Sequence, residues 1–448
     1  MTIDHVAIIG GGFSGALQAI NLLRHDGPRA TLIERRAAAG RGVAYSAAHP
    51  DHLLNVRAAS MSALPQDPDH FVRWLARHRP NLSGFVPRLV YGDYLADLLA
   101  EARAAAPHRL ALVQDEACDL TLSEDGATIM LAGGGRIDAD AAVLAVGNLP
   151  PSLPPGLDPE GLPRGSFAGE PWGPGVARDL DPDGTVLIVG SGLTMVDIAL
   201  LLDATGFRGR MIALSRRGLA PRAHADTPPS TLDERPPPNP VALLRHVRAR
   251  GSEVGWRAAV DELRPYTESL WLAAGLDERR RFLRHLRAWW DVHRHRIAPQ
   301  VSARIEALRA EGRLEIVAGK LDTAEPEGGR VAVRYRPRGQ EALATITVDR
   351  IVNAAGPQGD LLRSDQPLLR RLLERGLIRP DPLHIGIDVT AQSEVIGADG
   401  VAHDRLLALG PMTRGTFWEI VAVPDIRRQT WSVARKLANA HWVGGEGL

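Results

Sequence analysis

Short apolar runs that stop at glycine recur along this chain. Val6-Ala-Ile-Ile9 runs into Gly10 and Val186-Leu-Ile-Val189 into Gly190, while Ala141 to Val146 ends at Gly147 and Arg350-Ile-Val-Asn353-Ala-Ala at Gly356. Runs of this length bounded by glycine predict strands. Past Gly10 the apolar positions shift to helical spacing (Ala16, Leu17, Ile20, Leu23), and a second strand, Ala30-Thr-Leu-Ile-Glu34, follows. Past Gly190 the order repeats with an apolar helix and the strand Met211-Ile-Ala-Leu-Ser215, continued by Arg216-Arg217-Gly218.

Between these units the pattern predicts a helix from about Asp69 to Arg77, with Asp67 or Asp69 as N-cap and Pro68 in the turn, and a helix from Leu95 to Ala105 preceded by Pro87 to Tyr94. Leu110 to Asp115, Ala117 to Leu122 and Thr128 to Leu131 read as short strands, and Pro-rich sequence from Pro150 to Pro174 as a linker. Residues 221–311 begin Pro-rich and turn helical, rich in Arg and Trp, as an insertion would. Trp271, Trp289 and Trp290 are assigned to its core. Leu314 to Ala318, Val331 to Arg336 and Ala344 to Val348 are again strands. Arg405 to Pro411 is a last strand, and Pro424 opens a helix to about Asn439, whose start is expected to be electropositive. Both halves share one plan. The fold class is therefore α/β, with two Rossmann-like dinucleotide-binding domains, 1–152 with 356–448 and 178–355, and the helical insertion in the second.

Composition narrows the function. Lys and Arg number 53 against 53 Asp and Glu in 448 residues, so the net charge is zero, which argues against a nucleic-acid partner. Cys118 is the only cysteine, which excludes an intramolecular disulfide and suits a reducing compartment. The longest apolar stretch, Val186 to Leu202, contains Ser191, Thr194 and Asp197 and is no membrane span, and Asp4 stands where a signal peptide would be basic. A cytoplasmic location is expected. His293 and His295 lie two apart on a predicted helix and face different sides, which argues against a metal site.

The glycines carry chemistry. In the run Gly10 to Gly15, G-x-G-x-x-G, Gly10 serves the tight turn, Gly12 lets backbone approach a pyrophosphate and Gly15 lets the helix pack on its strand, with Phe13 and Ser14 in the first helical turn. The phosphates belong at that helix start, and Glu34, 24 residues beyond Gly10, can take ribose hydroxyls. The second unit offers Gly190, Gly192, Leu193 and Thr194. Met195 replaces the third glycine, so a slightly wider helix–strand spacing is expected. Its strand ends in Ser215, Arg216 and Arg217 instead of an acid, the change expected where a 2′-phosphate is held, so NADPH is the expected second nucleotide.

Two such units, joined by strands that end at Gly147 and Gly356, resemble the two-dinucleotide-binding-domain flavoproteins, glutathione-reductase-like and flavin-monooxygenase-like, in which the first unit holds FAD and the second NAD(P)H. Within them Gly40-Arg-Gly-Val-Ala-Tyr45, His52-Leu-Leu-Asn-Val56, Asp67-Pro-Asp-His-Phe71 and Arg414-Gly-Thr-Phe-Trp-Glu419 resemble the bacterial FAD/NAD(P)-binding proteins of the YdhS-like group. Pro87-Arg88-x-x-Tyr91-x-x-Tyr94 and the segment Met61 to Phe71 are distantly similar to N-hydroxylating flavin monooxygenases. The resemblance implies FAD contacts from Glu34, Arg35, Gly42, Tyr45, Val56, Met61, Ala117, Gly147 and Asn148. It implies cofactor contacts also from Ala355, Gly356 and Pro357, from Gly410 and Pro411, and from Trp418, Glu419, Val423 and Pro424. Asn55 is assigned a hydrogen bond near flavin N5 and the nicotinamide amide. The segments Leu54 to Phe71 and Arg414 to Val423 are expected to flank the flavin ring and, with the insertion, to enclose the substrate. Departures matter: one cysteine cannot form the redox pair of disulfide reductases, and Gly410-Pro411 replaces the Gly-Asp that meets the ribityl chain in those enzymes. The implied reaction is hydride transfer from NADPH to flavin, followed by oxygen insertion into a small amine or amino acid. A reductase or dehydrogenase without oxygen insertion, or a nucleotide-binding redox sensor, are the alternatives.

Overall fold

The computed structural model describes residues 3–46, 49–228 and 230–438. The chain forms two compact units, Met1–Ser46 with Arg57–Leu149 and Gln358–Leu448, and Ala47–Val56 with Pro150–Pro357. The stretch Ala47–Val56, which the sequence reading left in the first domain, thus groups with the second unit, as does the whole of 150–177.

In the first unit β1 (His5–Ile9), β2 (Arg29–Ile33) and β3 (Leu110–Val113) pair in parallel. They are followed by an antiparallel sheet of β4 (Ala117–Leu122), β5 (Ala127–Leu131) and β6 (Arg136–Ala139), and by β7 (Ala141–Leu144), which pairs with β1. The second unit contributes β8 (Phe167–Ala168), β9 (Thr185–Val189), β10 (Arg210–Ser215), β11 (Leu314–Glu327), β12 (Arg330–Pro337), β13 (Ala344–Val348) and β14 (Arg350–Asn353). The chain then returns to the first unit with β15 (Glu394–Ile396) and β16 (Ala402–Ala408). The first sheet runs β15-β16-β7-β1-β2-β3 and the second β13-β12-β11-β10-β9-β14-β8. The apolar runs lie at the centres of both, with Val6, Ala7, Ile8, Val186, Leu187 and Ile188 fully buried. Strands covered on both faces have no polar side to alternate with, which is why they read as unbroken hydrophobic runs.

The two sheets are closed by the same device. Asp140, just before β7, accepts the amides of Asp4 and His5 on its Oδ2 (2.8 Å each) and donates its own N–H to His5 O (2.9 Å). Asp349, just before β14, accepts the Thr185 amide (2.6 Å) and donates its N–H to Thr185 O (2.8 Å).

Several elements differ from the sequence expectation. The helix expected from Leu95 begins at Arg88 and runs to Ala105. A Cβ on Gly92, inside this helix, would lie 2.5 Å from Tyr45 O, so the glycine serves a close approach of two backbones. The expected linker is packed: Phe167 and Ala168 pair with β14, Leu157 and Val176 are buried, and a Cβ on Gly156 would meet Asp322 O at 1.9 Å. Asp69 takes the N-cap of the helix His70–His78 without a side-chain bond, and Asp67 pairs with Arg73 instead. The last strand stops at Ala408, and Gly410–Thr413 is a tight helical turn. The final helix spans Val423–Leu437, and Asn439 lies outside the described residues. Of the three tryptophans assigned to the core, Trp271 is buried, Trp290 is half-buried and Trp289 is 41% exposed, on the outer side of the helix Arg287–Arg294.

Candidate functional site

The two Gly-rich turns share one geometry. Gly10 (φ +103°) and Gly190 (φ +126°) sit where a Cβ would lie 2.3 Å from Ala145 O and 2.2 Å from Ala354 O, so neither position can carry a side chain. Gly10 N–H donates to Ile33 O and Gly190 N–H to Leu214 O, both at 2.9 Å. Gly15 is dictated by packing, since its Cβ would stand 1.9 Å from Gly10 O. The corresponding residue of the second unit, Met195, is fully buried.

Gly12 and Gly192 differ from these. Gly12 has ordinary backbone angles (φ −72°) and only Gly42 Cα near its absent Cβ, at 3.5 Å, while Gly192 has nothing within 4 Å. Gly147 and Gly356 (φ +70° and +90°) also face open space. The helices Phe13–Arg24 and Leu193–Ala204 start without a side-chain cap and without an acid in the first turn. Their positive ends therefore face the cleared space beside Gly12 and Gly192, and a pyrophosphate fits both places. In the second unit Leu193 and Thr194 are half-buried in the first turn of that helix.

Beyond the turns the units diverge. Glu34 accepts Gly11 N–H on Oε2 (2.7 Å) and Arg36 N–H on Oε1 (2.9 Å), and each oxygen keeps a lone pair for a ribose hydroxyl. At the same place in the second unit Ser215 Oγ lies 2.7 Å from Ser191 Oγ and accepts Gly218 N–H (3.1 Å). Arg216 is exposed, and Arg217, half-buried, donates to Arg284 O (3.0 Å). This strand end thus carries two arginines and no carboxylate.

Around the first turn, Gly40 N–H donates to Gly11 O (2.7 Å) and thereby brings Gly42 against Gly12. Tyr45, on the short helix Gly42–Ser46, meets Phe13 and Tyr91 edge-on (6.2 and 4.8 Å between ring centres), and burial pushes its phenol up to about 12. Phe13, Ser14, Met61 and Ala117 are buried. Arg35 is exposed and pairs with Glu116 (3.1 Å), and Asn148 is exposed beside Gly147.

At the far end of the sheet Gly410 N–H donates to Gln429 Oε1 (2.8 Å), and Gln429 Nε2 donates to Ser393 Oγ and Thr413 Oγ1 (3.1 Å each). This buried side chain fixes Gly410 and Pro411. The Arg414 guanidinium lies over the Trp418 ring (5.3 Å), and Trp418, Glu419, Val423 and Pro424 are buried. A Cβ on Gly415 would meet Asp381 Cγ at 2.5 Å; Asp381 is buried and accepts Leu383 and Ile385 N–H (2.9 and 2.7 Å), and burial raises its carboxyl above the usual range. The electropositive start expected for the helix Val423–Leu437 is opposed by Asp425, which stands in its first turn.

Asn55 and Val56 lie with the second unit, both half-buried. Asn55 O accepts from His224 Nε2 (2.9 Å), while its side-chain amide makes no hydrogen bond to a described residue. His52, buried in the same segment, donates through Nε2 to Asp197 O (2.8 Å). Ala355 and Pro357 are exposed on either side of Gly356, and Ala355 N–H donates to Asn353 Oδ1 (3.2 Å). Sequence reasoning missed Gln429, His224 and Asp381. Gln429 and His224 act on backbone 19 and 169 residues away, and Asp381, whose hydrogen bonds are local, is tied to Gly415 only by packing.

Residues 7–149 match a family model described as FAD-NAD(P)-binding. No curated protein matches the chain. Among solved structures the chain is similar to an ornithine N-hydroxylase from Kutzneria sp. 744 solved with reduced FAD, NADP+ and L-ornithine (15% identity, 98% of this chain and 99% of that one, TM-score 0.64). It is similar to the ornithine hydroxylase of Pseudomonas aeruginosa (15%, 98% and 99%, TM-score 0.68) and to the L-lysine 6-monooxygenase of Pseudomonas syringae (14%, 98% and 99%, TM-score 0.67). The chain has the α/β fold of the two-dinucleotide-binding-domain flavoproteins, and the family match covers its N-terminal third.

Proposed function

We propose that this chain is an FAD-dependent, NADPH-using monooxygenase that acts on a small amine or amino-acid-like substrate. The observation that carries the reading is one turn geometry built twice with opposite strand ends, Glu34 in the first unit and Ser215, Arg216 and Arg217 in the second. Gly10, Gly12, Gly15 and Glu34 then hold FAD, and Gly190, Gly192 and the two arginines hold NADPH. Bound FAD would supply two-electron acceptance from NADPH and, once reduced, reaction with oxygen. The chain's share is positioning. Two helix starts hold phosphates, Glu34 selects ribose, and Gln429 keeps the Gly410 turn fixed. Asn55 is assigned a hydrogen bond at the reacting end of the cofactors, supported by its uncommitted side-chain amide. Motifs shared with the YdhS-like group support placement there.

The test is coupling. The FAD-loaded protein is given NADPH in air with ornithine or lysine, the compounds that name the structural neighbours. NADPH consumed in step with a hydroxylated amine is the expected result. NADPH consumed with peroxide alone, whatever amine is added, would leave a flavin reductase.

A further inference from the structure

The helical part of the second unit contains a group of arginines whose charge is not balanced. The run Arg222 to His224 is pinned like a strand: Arg222 N–H donates to Val292 O (3.0 Å), Ile297 N–H to Arg222 O (2.9 Å) and His224 N–H to Ile297 O (2.9 Å). Against it stands the helix Trp256–Asp261, and Arg257 Nε donates to Ala223 O (3.1 Å). The guanidinium groups of Arg257 and Arg296 lie over the Trp256 ring at 4.3 and 5.1 Å.

Among the described residues one carboxylate serves these arginines. Asp261 accepts a fork from Arg296 (2.8 and 3.0 Å), and Arg296 also donates to the carbonyls of His293 (2.8 Å) and Arg257 (3.1 Å), so this 3% exposed side chain is satisfied. Arg257 and Arg222 meet no carboxylate among the described residues. Arg257 is half-buried, and burial, then the charges of Arg296 and Arg222, push its guanidinium down from its ordinary value. A half-desolvated cation beside two like charges is held at a cost, and an incoming oxyanion relieves it through planar forks that suit carboxylate geometry. The place fits a substrate site. The run leaves the carboxyl end of β10, where α/β sheets bind ligands, and His224, two residues from Arg222, holds the backbone of Asn55.

We propose that Arg222 and Arg257 form an oxyanion subsite that holds the carboxylate of an acidic or amino-acid substrate beside the Asn55 segment. This deepens the monooxygenase reading, which supplies the identity of the ligand as substrate. A nucleotide phosphate offers the same chemistry, and the experiment separates the two sources.

The experiment is calorimetric titration of the full-length FAD-loaded protein, at constant ionic strength, with glutarate and separately with NADP+. Neither titration needs turnover, so a result here stands apart from any failure of the monooxygenase reading. Wild type is expected to bind glutarate, Arg222→Ala to bind it about tenfold more weakly (about 1.4 kcal/mol), and both to bind NADP+ equally. Arg222 is exposed, so its loss should not unfold the protein. Arg257→Lys keeps the charge but not the fork, and should also weaken glutarate. Thermal melts without ligand add a second readout: Arg222→Ala should be no less stable than wild type, because it removes a like charge. Glutarate binding that is absent from wild type, or unchanged in both variants, would overturn the proposal, as would a loss in Arg222→Ala confined to NADP+.

Discussion

Gly12 and Gly15 are glycines for different reasons, and their substitution separates binding from folding. A methyl on Gly15 would collide with Gly10 O, whereas one on Gly12 finds Gly42 Cα at ordinary contact distance and acceptable backbone angles. Gly15→Ala should therefore lower unfolding free energy by about 3 kcal/mol, and Gly12→Ala by about 1 kcal/mol or less. Gly12→Ala should nonetheless bind FAD about tenfold more weakly, by about 1.4 kcal/mol. Denaturant melts and FAD titration of the flavin-free protein check both. At the other strand end, changing Arg216 and Arg217 together to Ala should erase a preference for NADPH over NADH, measured as the ratio of dissociation constants. Equal affinities in the parent would remove the basis for assigning a 2′-phosphate to these arginines. The glycine pattern and Glu34 were legible in the sequence because each requirement is local, lying within one strand–turn–helix step. Gln429 was not, since the amide it satisfies is at Gly410.

Elements carry the next set of consequences. Gln429 joins the final helix to the turn after β16 through two buried hydrogen bonds and to Ser393, just before β15, through a third. Gln429→Leu strands the Gly410 amide and should cost about 2–4 kcal/mol, with a parallel loss of FAD affinity; a melt within 0.5 kcal/mol of wild type, roughly the scatter of surface substitutions, would show the turn is held otherwise. Asp381 backs Gly415, and burial raises its carboxyl in the folded state. A folded-state value above the unfolded one means that the folded protein binds the proton more tightly. The stabilising contribution is therefore full below the ordinary carboxyl range and is lost as pH rises through the raised value. Compared with Asp381→Asn, wild type should lose relative stability over that rise and change little above it, as melts across the acid range will show. Strands were legible as unbroken apolar runs. The Pro-rich segment 150–174 was misread because proline marks turns equally on a linker and on a packed surface, and only burial of Leu157 and Val176 distinguishes the two.

For the whole molecule, the repeat of strand, turn, helix and strand was visible because both halves solve one packing problem with one geometry. Which unit owns Ala47–Val56 was not visible, because His224 and Asp197, which hold it, lie far along the chain. No described helix is long and apolar enough to cross a membrane. The central claim is that the two turns bind two different dinucleotides and pass electrons between them. Its most direct test is the absorbance spectrum of the FAD-loaded protein under anaerobic NADPH. The account predicts oxidised flavin bands that bleach on NADPH addition, more slowly with NADH, and return when oxygen is admitted. A protein that takes up no FAD, or whose flavin bands stay unchanged under NADPH, would contradict it.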